Sequence, residues 1–258
     1  MNAEILILGS GTSMGVPTLG CSCEVCTSTD PRDTRTRPSI TVQWGGHNVV
    51  IDTGQDFRQQ ALREHIRHID AVLYTHPHAD HILGMDDLRP LTFERRGPVP
   101  IYADDATAAV LRRIFEYTFS PNAKYPTRAR VELHPLNGQE SVEIAGITFQ
   151  RVPVLHGDLP VAGYRFGSAA YLTDINTVPD SSLPLLEKLD VLIIDALRWK
   201  HHPSHNNVEQ ALAWIDRIQP RRAFFTHIAH ELGHAATEAT LPPHICLAFD
   251  GQRIGFEF

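Results

Sequence analysis

The chain has 258 residues, 42% hydrophobic and 21% charged, with a formal net charge of −7. That composition suits one globular α/β domain over 1–258, and its acidic balance argues against broad binding of DNA or RNA, which needs a basic surface. No apolar stretch reaches the ~18 residues that span a bilayer, and Met1-Asn2-Ala3-Glu4 lacks the basic start of a signal peptide, so a cytoplasmic protein with no membrane partner is expected.

In chain order, Glu4 to Gly9 is an aliphatic run that predicts a buried first strand, followed by the turn-forming Ser10-Gly11-Thr12. Pro17 to Pro38 is irregular and rich in cysteine, proline and small polar residues, too long a loop to stand without an internal tie. Ile40 to Trp44 and His47 to Ile51 flank Gly45-Gly46 and predict a hairpin. Asp56 to His68 reads as a helix and Asp70 to Tyr74 as a short buried strand. Thr107 to Phe119 reads as a second helix, with Val110, Leu111, Ile114 and Phe115 on one face. The second half predicts strands near 147–154, 161–166 and 169–173, and at Val191 to Asp195. Asn207 caps a helix in which Val208, Ala211, Leu212, Ile215 and Ile218 form an apolar stripe. Arg222 to Thr226 is the next strand, and residues 245–256 supply edge strands. Strands with helices interposed imply sheets covered outside by helices, without choosing among α/β folds.

The densest chemistry is Thr75-His76-Pro77-His78-Ala79-Asp80-His81, directly after the strand at Asp70 to Tyr74. Ligands on a loop at a strand's end occupy the place where open α/β sheets put their active sites. His76 and His78 can address one metal, and Asp80 and His81 a second. Imidazole mixed with carboxylate suits zinc, manganese or iron(II) and does not suit calcium. The alternative for so histidine-rich a loop is simple solvation.

This His-x-His-x-Asp-His pattern resembles the metallo-β-lactamase superfamily. Further strand ends fill that family's remaining positions in order: His156 after Val152-Pro153-Val154-Leu155, Asp174 after Ala170-Tyr171-Leu172-Thr173, and His227 after Ala223-Phe224-Phe225-Thr226. Val49-Val50-Ile51-Asp52-Thr53-Gly54 matches its first motif, whose aspartate orients a ligand without binding metal. The resemblance implies that His76, His78 and His156 hold one divalent ion, that Asp80, His81 and His227 hold the other, and that Asp174 bridges them. It also implies a four-layer αβ/βα sandwich with the metals at one sheet edge.

Cys21-x-Cys23-x-x-Cys26 places three thiols in six residues. In a reducing compartment this spacing favours metal over disulfide. With His230, three residues beyond His227, the thiols would complete a closed tetrahedral structural zinc site, the alternative being a buried or redox role. Cys246 lies in the apolar Ile245-Cys246-Leu247-Ala248 run and is expected in the core.

Gly9-x-Gly11-Thr12, Gly15-Val16-Pro17 and Gly20-Cys21-x-Cys23-x-x-Cys26 narrow the resemblance to the phosphoribosyl 1,2-cyclic phosphate phosphodiesterases of phosphonate breakdown. That resemblance implies a small phosphorylated substrate, two catalytic manganese or zinc ions, and a homodimer. It also implies an acidic histidine within His201-His202-Pro203-Ser204-His205-Asn206-Asn207, where His205 is the candidate. Arg198 and Lys200 lie near it as candidates to grip substrate. The expected reaction is attack of metal-activated water on phosphorus with His205 protonating the leaving oxygen. A thioester or lactone hydrolase on the same scaffold is the alternative, as is a non-hydrolytic relative acting in cofactor biosynthesis. The Ile114 to Phe119 segment, rich in aromatics, adds to the expectation of a dimer.

Overall fold

The computed structural model describes residues 2–93, 95–121, 125, 127–136 and 138–258. Two mixed seven-stranded sheets pack face to face. The first is built from β1 (Asn2–Gly9), β2 (Ser39–Trp44), β3 (His47–Ile51), β4 (Ala71–Leu73), β5 (Val99–Ala103), β6 (Val131–Pro135) and β14 (Arg253–Glu257). Its spatial order is β14-β1-β2-β3-β4-β5-β6. The second contains β7 (Ser141–Ile144), β8 (Ile147–His156), β9 (Leu159–Phe166), β10 (Ala169–Leu172), β11 (Val191–Asp195), β12 (Arg222–Thr226) and β13 (Ile245–Leu247), ordered β13-β12-β11-β10-β9-β8-β7.

Strand alternation divides the apolar side chains into three layers. Ile5, Ile7, Val42, Val49, Phe149, Tyr164 and Ile193 fill the space between the sheets. Leu6, Leu8, Val50 and Val72 face outward to Phe57, Leu88 and Leu111 on the covering helices. Leu192 and Ile194 face outward on the other side to Val208, Ala211 and Ile215. Strands buried on both faces read as unbroken hydrophobic runs, which is why β1 and β11 were legible. The result is the expected four-layer αβ/βα sandwich. Among the described residues no helix is long and apolar enough to cross a membrane.

Strands β3 to β6 are mutually parallel, as are β10 to β13, so each sheet collects several carboxyl-terminal strand ends at one edge.

Several boundaries differ from expectation. The first helix covers Phe57–Arg63 and stops short of His68, because His65 adopts a left-handed φ of 55°. The second covers Asp105–Ile114, breaks at Phe115, and resumes as the turn Glu116–Phe119. Phe115, Tyr117 and Phe119 pack on the chain's own outer core, while Ile114 is 42% exposed and off the buried face. The aromatic surplus is therefore largely absorbed internally. β13 and β14 are edge strands as expected, but of different sheets. Asn207 does cap the helix Val208–Ile218, in a capping box with Gln210.

Candidate metal centre

The strand ends converge. Thr75 follows β4 closely, and its backbone N–H and hydroxyl donate to the two carboxylate oxygens of Asp52 at 2.8 and 2.7 Å. The histidine motif is not loop throughout: Ala79–Ile82 form a single helical turn with His78 at its N-cap. That turn carries Asp80 and His81 inward, while His78 stays exposed.

Potential ligand atoms of His76, His78, His156 and Asp174 lie within 4.8 Å of one another, and so do those of Asp80, His81, Asp174 and His227. Asp174 belongs to both sets. His81 Nε2 is 3.2 Å from one Asp174 oxygen and His227 Nε2 is 3.1 Å from the other. Yet His81 Nε2, His227 Nε2 and Asp80 Oδ2 are buried without an aligned hydrogen-bond partner. Buried polar atoms are rarely left so, and several meeting at one point fit a divalent cation.

The electrostatics agree. Burial pulls the His81 imidazole down, but the Asp174, Asp80 and Asp52 carboxylates outweigh it and hold the group well above its ordinary range. His227 is likewise pushed up to about 9, the Asp174 carboxylate prevailing over burial. Burial instead drives His76 well below its usual range and His156 down to about 4, so these two rings favour the neutral form.

Asp52 (φ 66°), Asp174 (φ 54°) and His227 (φ 57°) all have left-handed backbones. For non-glycine residues this conformation is unfavourable, and it concentrates at functional sites. Here it turns the chain sharply where strands β3, β10 and β12 end. Supporting contacts fix the rings. His81 Nδ1–H donates to Asp52 Oδ2 at 2.7 Å, and His156 Nδ1–H to the Ser204 carbonyl at 2.7 Å, leaving each Nε2 for the centre.

His205 stands beside the candidate ligands. Its ring stacks on His227 with centroids 4.5 Å apart and planes 11° apart, and lies 4.4 Å from the His156 ring. Its Nδ1 is 2.7 Å from Asp195 Oδ2. Asp195 is the residue that sequence reasoning missed; its one signal was a carboxylate ending a fully buried strand. His202 lies 5.0 Å from His205, while His201 is exposed. Arg198 pairs with Glu231 at 3.5 Å, and Lys200 is exposed.

Cys21, Cys23, Cys26 and His230 form a further cluster within 4.8 Å, with His230 Nδ1 at 3.3 Å from Cys21 Sγ and 3.2 Å from Cys23 Sγ. The Cys26 amide and His230 lower the Cys23 thiol to about 6, whereas burial raises Cys26. The tie that the long loop required is Arg35. Its buried guanidinium donates to the carbonyls of Ala229 and Leu232 and to Asp33, binding the cysteine loop to the segment that carries His230. Cys246 is partly buried against the inter-sheet core.

Residues 47–228 match the family model described as the beta-lactamase superfamily domain. The chain belongs to the metallo-β-lactamase superfamily. A crystal structure described as a new diphosphatase from the PhnP family is 49% identical, superposes with a TM-score of 0.93, and covers 99% of this chain and 98% of its own, placing the chain among the PhnP-like members. An octanoyltransferase of Porphyromonas gingivalis is 38% identical over 249 residues, 95% of this chain and 50% of that protein. A ribonuclease Z of a Bradyrhizobium species is 29% identical over 157 residues, 59% of this chain and 49% of that protein. The chain thus spans about half the length of these two curated relatives. Zinc-bound PqqB from Methylobacterium extorquens shares the fold, with a TM-score of 0.76 at 21% identity over 97% of this chain and 99% of its own.

Proposed function

We propose that this chain is a metal-dependent phosphodiesterase that hydrolyses a small, cyclic ribosyl phosphodiester. The observation that carries the reading is two His/Asp ligand sets sharing Asp174, with the carboxylate-held His205 stacked against one of their members. His76, His78, His156 and Asp174 would hold one ion and Asp80, His81, His227 and Asp174 the other, manganese or zinc in each case. When bound, such ions neutralise charge at phosphorus and lower the pKa of water enough to make it a nucleophile at neutral pH. A structural zinc would sit at Cys21, Cys23, Cys26 and His230.

The chain's own residues then divide the remaining work. Asp52 fixes the tautomer and direction of His81. Asp195 takes the Nδ1–H of His205, so the transferable proton is carried on Nε2, from which it passes to the departing ribose oxygen. A ribose alkoxide is a poor leaving group, so proton donation matters there. Relatives named diphosphatase and ribonuclease Z support phosphorus chemistry.

A second reading, thioester hydrolysis, draws support from the relative named for octanoyl transfer. Purified, metal-analysed protein should be assayed on cyclic and linear ribosyl diesters, a diphosphate-linked nucleotide, bis-(p-nitrophenyl) phosphate and an S-lactoyl thioester, with manganese or zinc. Turnover of the thioester alone would reject the phosphodiesterase.

A further inference from the structure

The segment Pro203 to Asn206 carries His205 but lies outside the helices and strands, so its geometry depends on tethers. Three are present. His156 Nδ1–H donates to the Ser204 carbonyl, the Asn206 amide donates to the Ile175 carbonyl at 2.7 Å, and the Asn176 side-chain amide donates to the Pro203 carbonyl at 3.1 Å. The first uses a candidate metal ligand and the second is backbone to backbone. The third belongs to a side chain that so far has no role.

Asn176 uses both ends of its amide. Oδ1 accepts the backbone N–H of Gly157 at 3.0 Å, while Nδ2 reaches Pro203. Its own backbone N–H donates to Leu155 at 2.9 Å. It follows Asp174 by two residues, and Gly157 follows His156 directly. Gly157 has a φ of 61°, and a Cβ there would lie 3.3 Å from Ser204 Cβ, so the turn and the His205 segment are close-packed. One neutral amide therefore spans the loops of Asp174, His156 and His205.

We propose that Asn176 is a positioning residue that sets His205 against the leaving oxygen. This rests on His205 being the proton donor. An amide is required because one end must donate and the other accept. Asn176→Asp keeps the acceptor for Gly157 and loses the donor to Pro203; Asn176→Ala loses both. Misplacement of a reacting group by ~1 Å costs on the order of 10²-fold.

The test uses the zinc-loaded 258-residue chain and two readouts. The low-field imidazole N–H resonance of His205, assigned by its loss in His205→Ala, should broaden or move in both Asn176 variants. Turnover of an alkyl ribosyl diester should fall about 10–100-fold, with a far smaller loss on bis-(p-nitrophenyl) phosphate at unchanged zinc content. An unchanged resonance overturns the proposal, as do equal losses on both substrates when His205→Ala itself is selective. If His205→Ala is not selective, the proton-donor reading fails, and the resonance alone decides whether Asn176 positions the segment.

Discussion

Asp195 Oδ2 accepts the Nδ1–H of His205 at 2.7 Å and also the backbone N–H of Ile175 at 2.9 Å. Ile175 directly follows Asp174, so one buried carboxylate orders both the proposed acid and the residue shared by the two ligand sets. Burial raises the Asp195 carboxyl, while His205 pulls it back toward ionisation. Asp195→Asn keeps the shape but removes the carboxylate charge to which the His205 Nδ1–H donates. Its kcat on a ribosyl diester should drop by ~10²-fold or more, with less effect on a p-nitrophenyl diester. Steady-state kinetics at matched metal content check this.

His205→Ala should lower turnover of a natural ribosyl diester by ~10²–10⁴-fold, the usual range for a general acid. The p-nitrophenolate leaving group is already stable as an anion and should show far less loss. Equal losses on both, with metals still bound, would mean that His205 binds or positions the substrate.

Asp52 touches His81, not the centre itself. Asp52→Asn leaves a group that can still fill the space but holds the His81 tautomer poorly. Metal affinity should weaken by ~10–100-fold, the usual consequence of losing a ligand's orienting partner. Competition with a chromophoric chelator measures it, and unchanged affinity would remove Asp52 from that role.

Cys23→Ser should lower thermal stability and the zinc content, leaving the chemistry of the Asp174 centre largely intact. Removing one thiolate forfeits part of the metal energy that holds the cysteine loop. Elemental analysis together with thermal melting tests the assignment. Full zinc and full stability in the variant would refute it.

In metal-free protein the raised pKa values of His81 and His227 have a definite sign. Each protonated imidazole is favoured in the folded state, so its contribution is complete below the unfolded value of about 6.5. It is lost as pH rises through the folded value, about 9 for His227. Metal-free protein should therefore melt lower at about pH 9.5 than at about pH 6.5. Zinc loading should flatten that difference, since the ion replaces the protons. Melting curves with and without zinc at both pH values provide the check.

By itself, the sequence determined the candidate ligand types, their order, and the buried strands on which they end. His76, His78, Asp80 and His81 are crowded into one stretch, and His156, Asp174 and His227 each follow an apolar run long enough to read as a strand. The pattern also marked the helix N-cap at Asn207, because local hydrogen bonds need only local residues. Helix ends were less legible: the break at Phe115 and the stop before His65 depend on backbone angles that several residue types can adopt. Only the tertiary structure decided that Asp195 serves His205, that Asn176 spans three loops, and that Arg35 ties the cysteine loop to Ala229 and Leu232. Those partners lie 10 to 197 positions apart, and a hydrogen bond carries no periodic trace in sequence. The left-handed conformations of Asp52, Asp174 and His227 were equally hidden, because such strain persists only where surrounding packing enforces it.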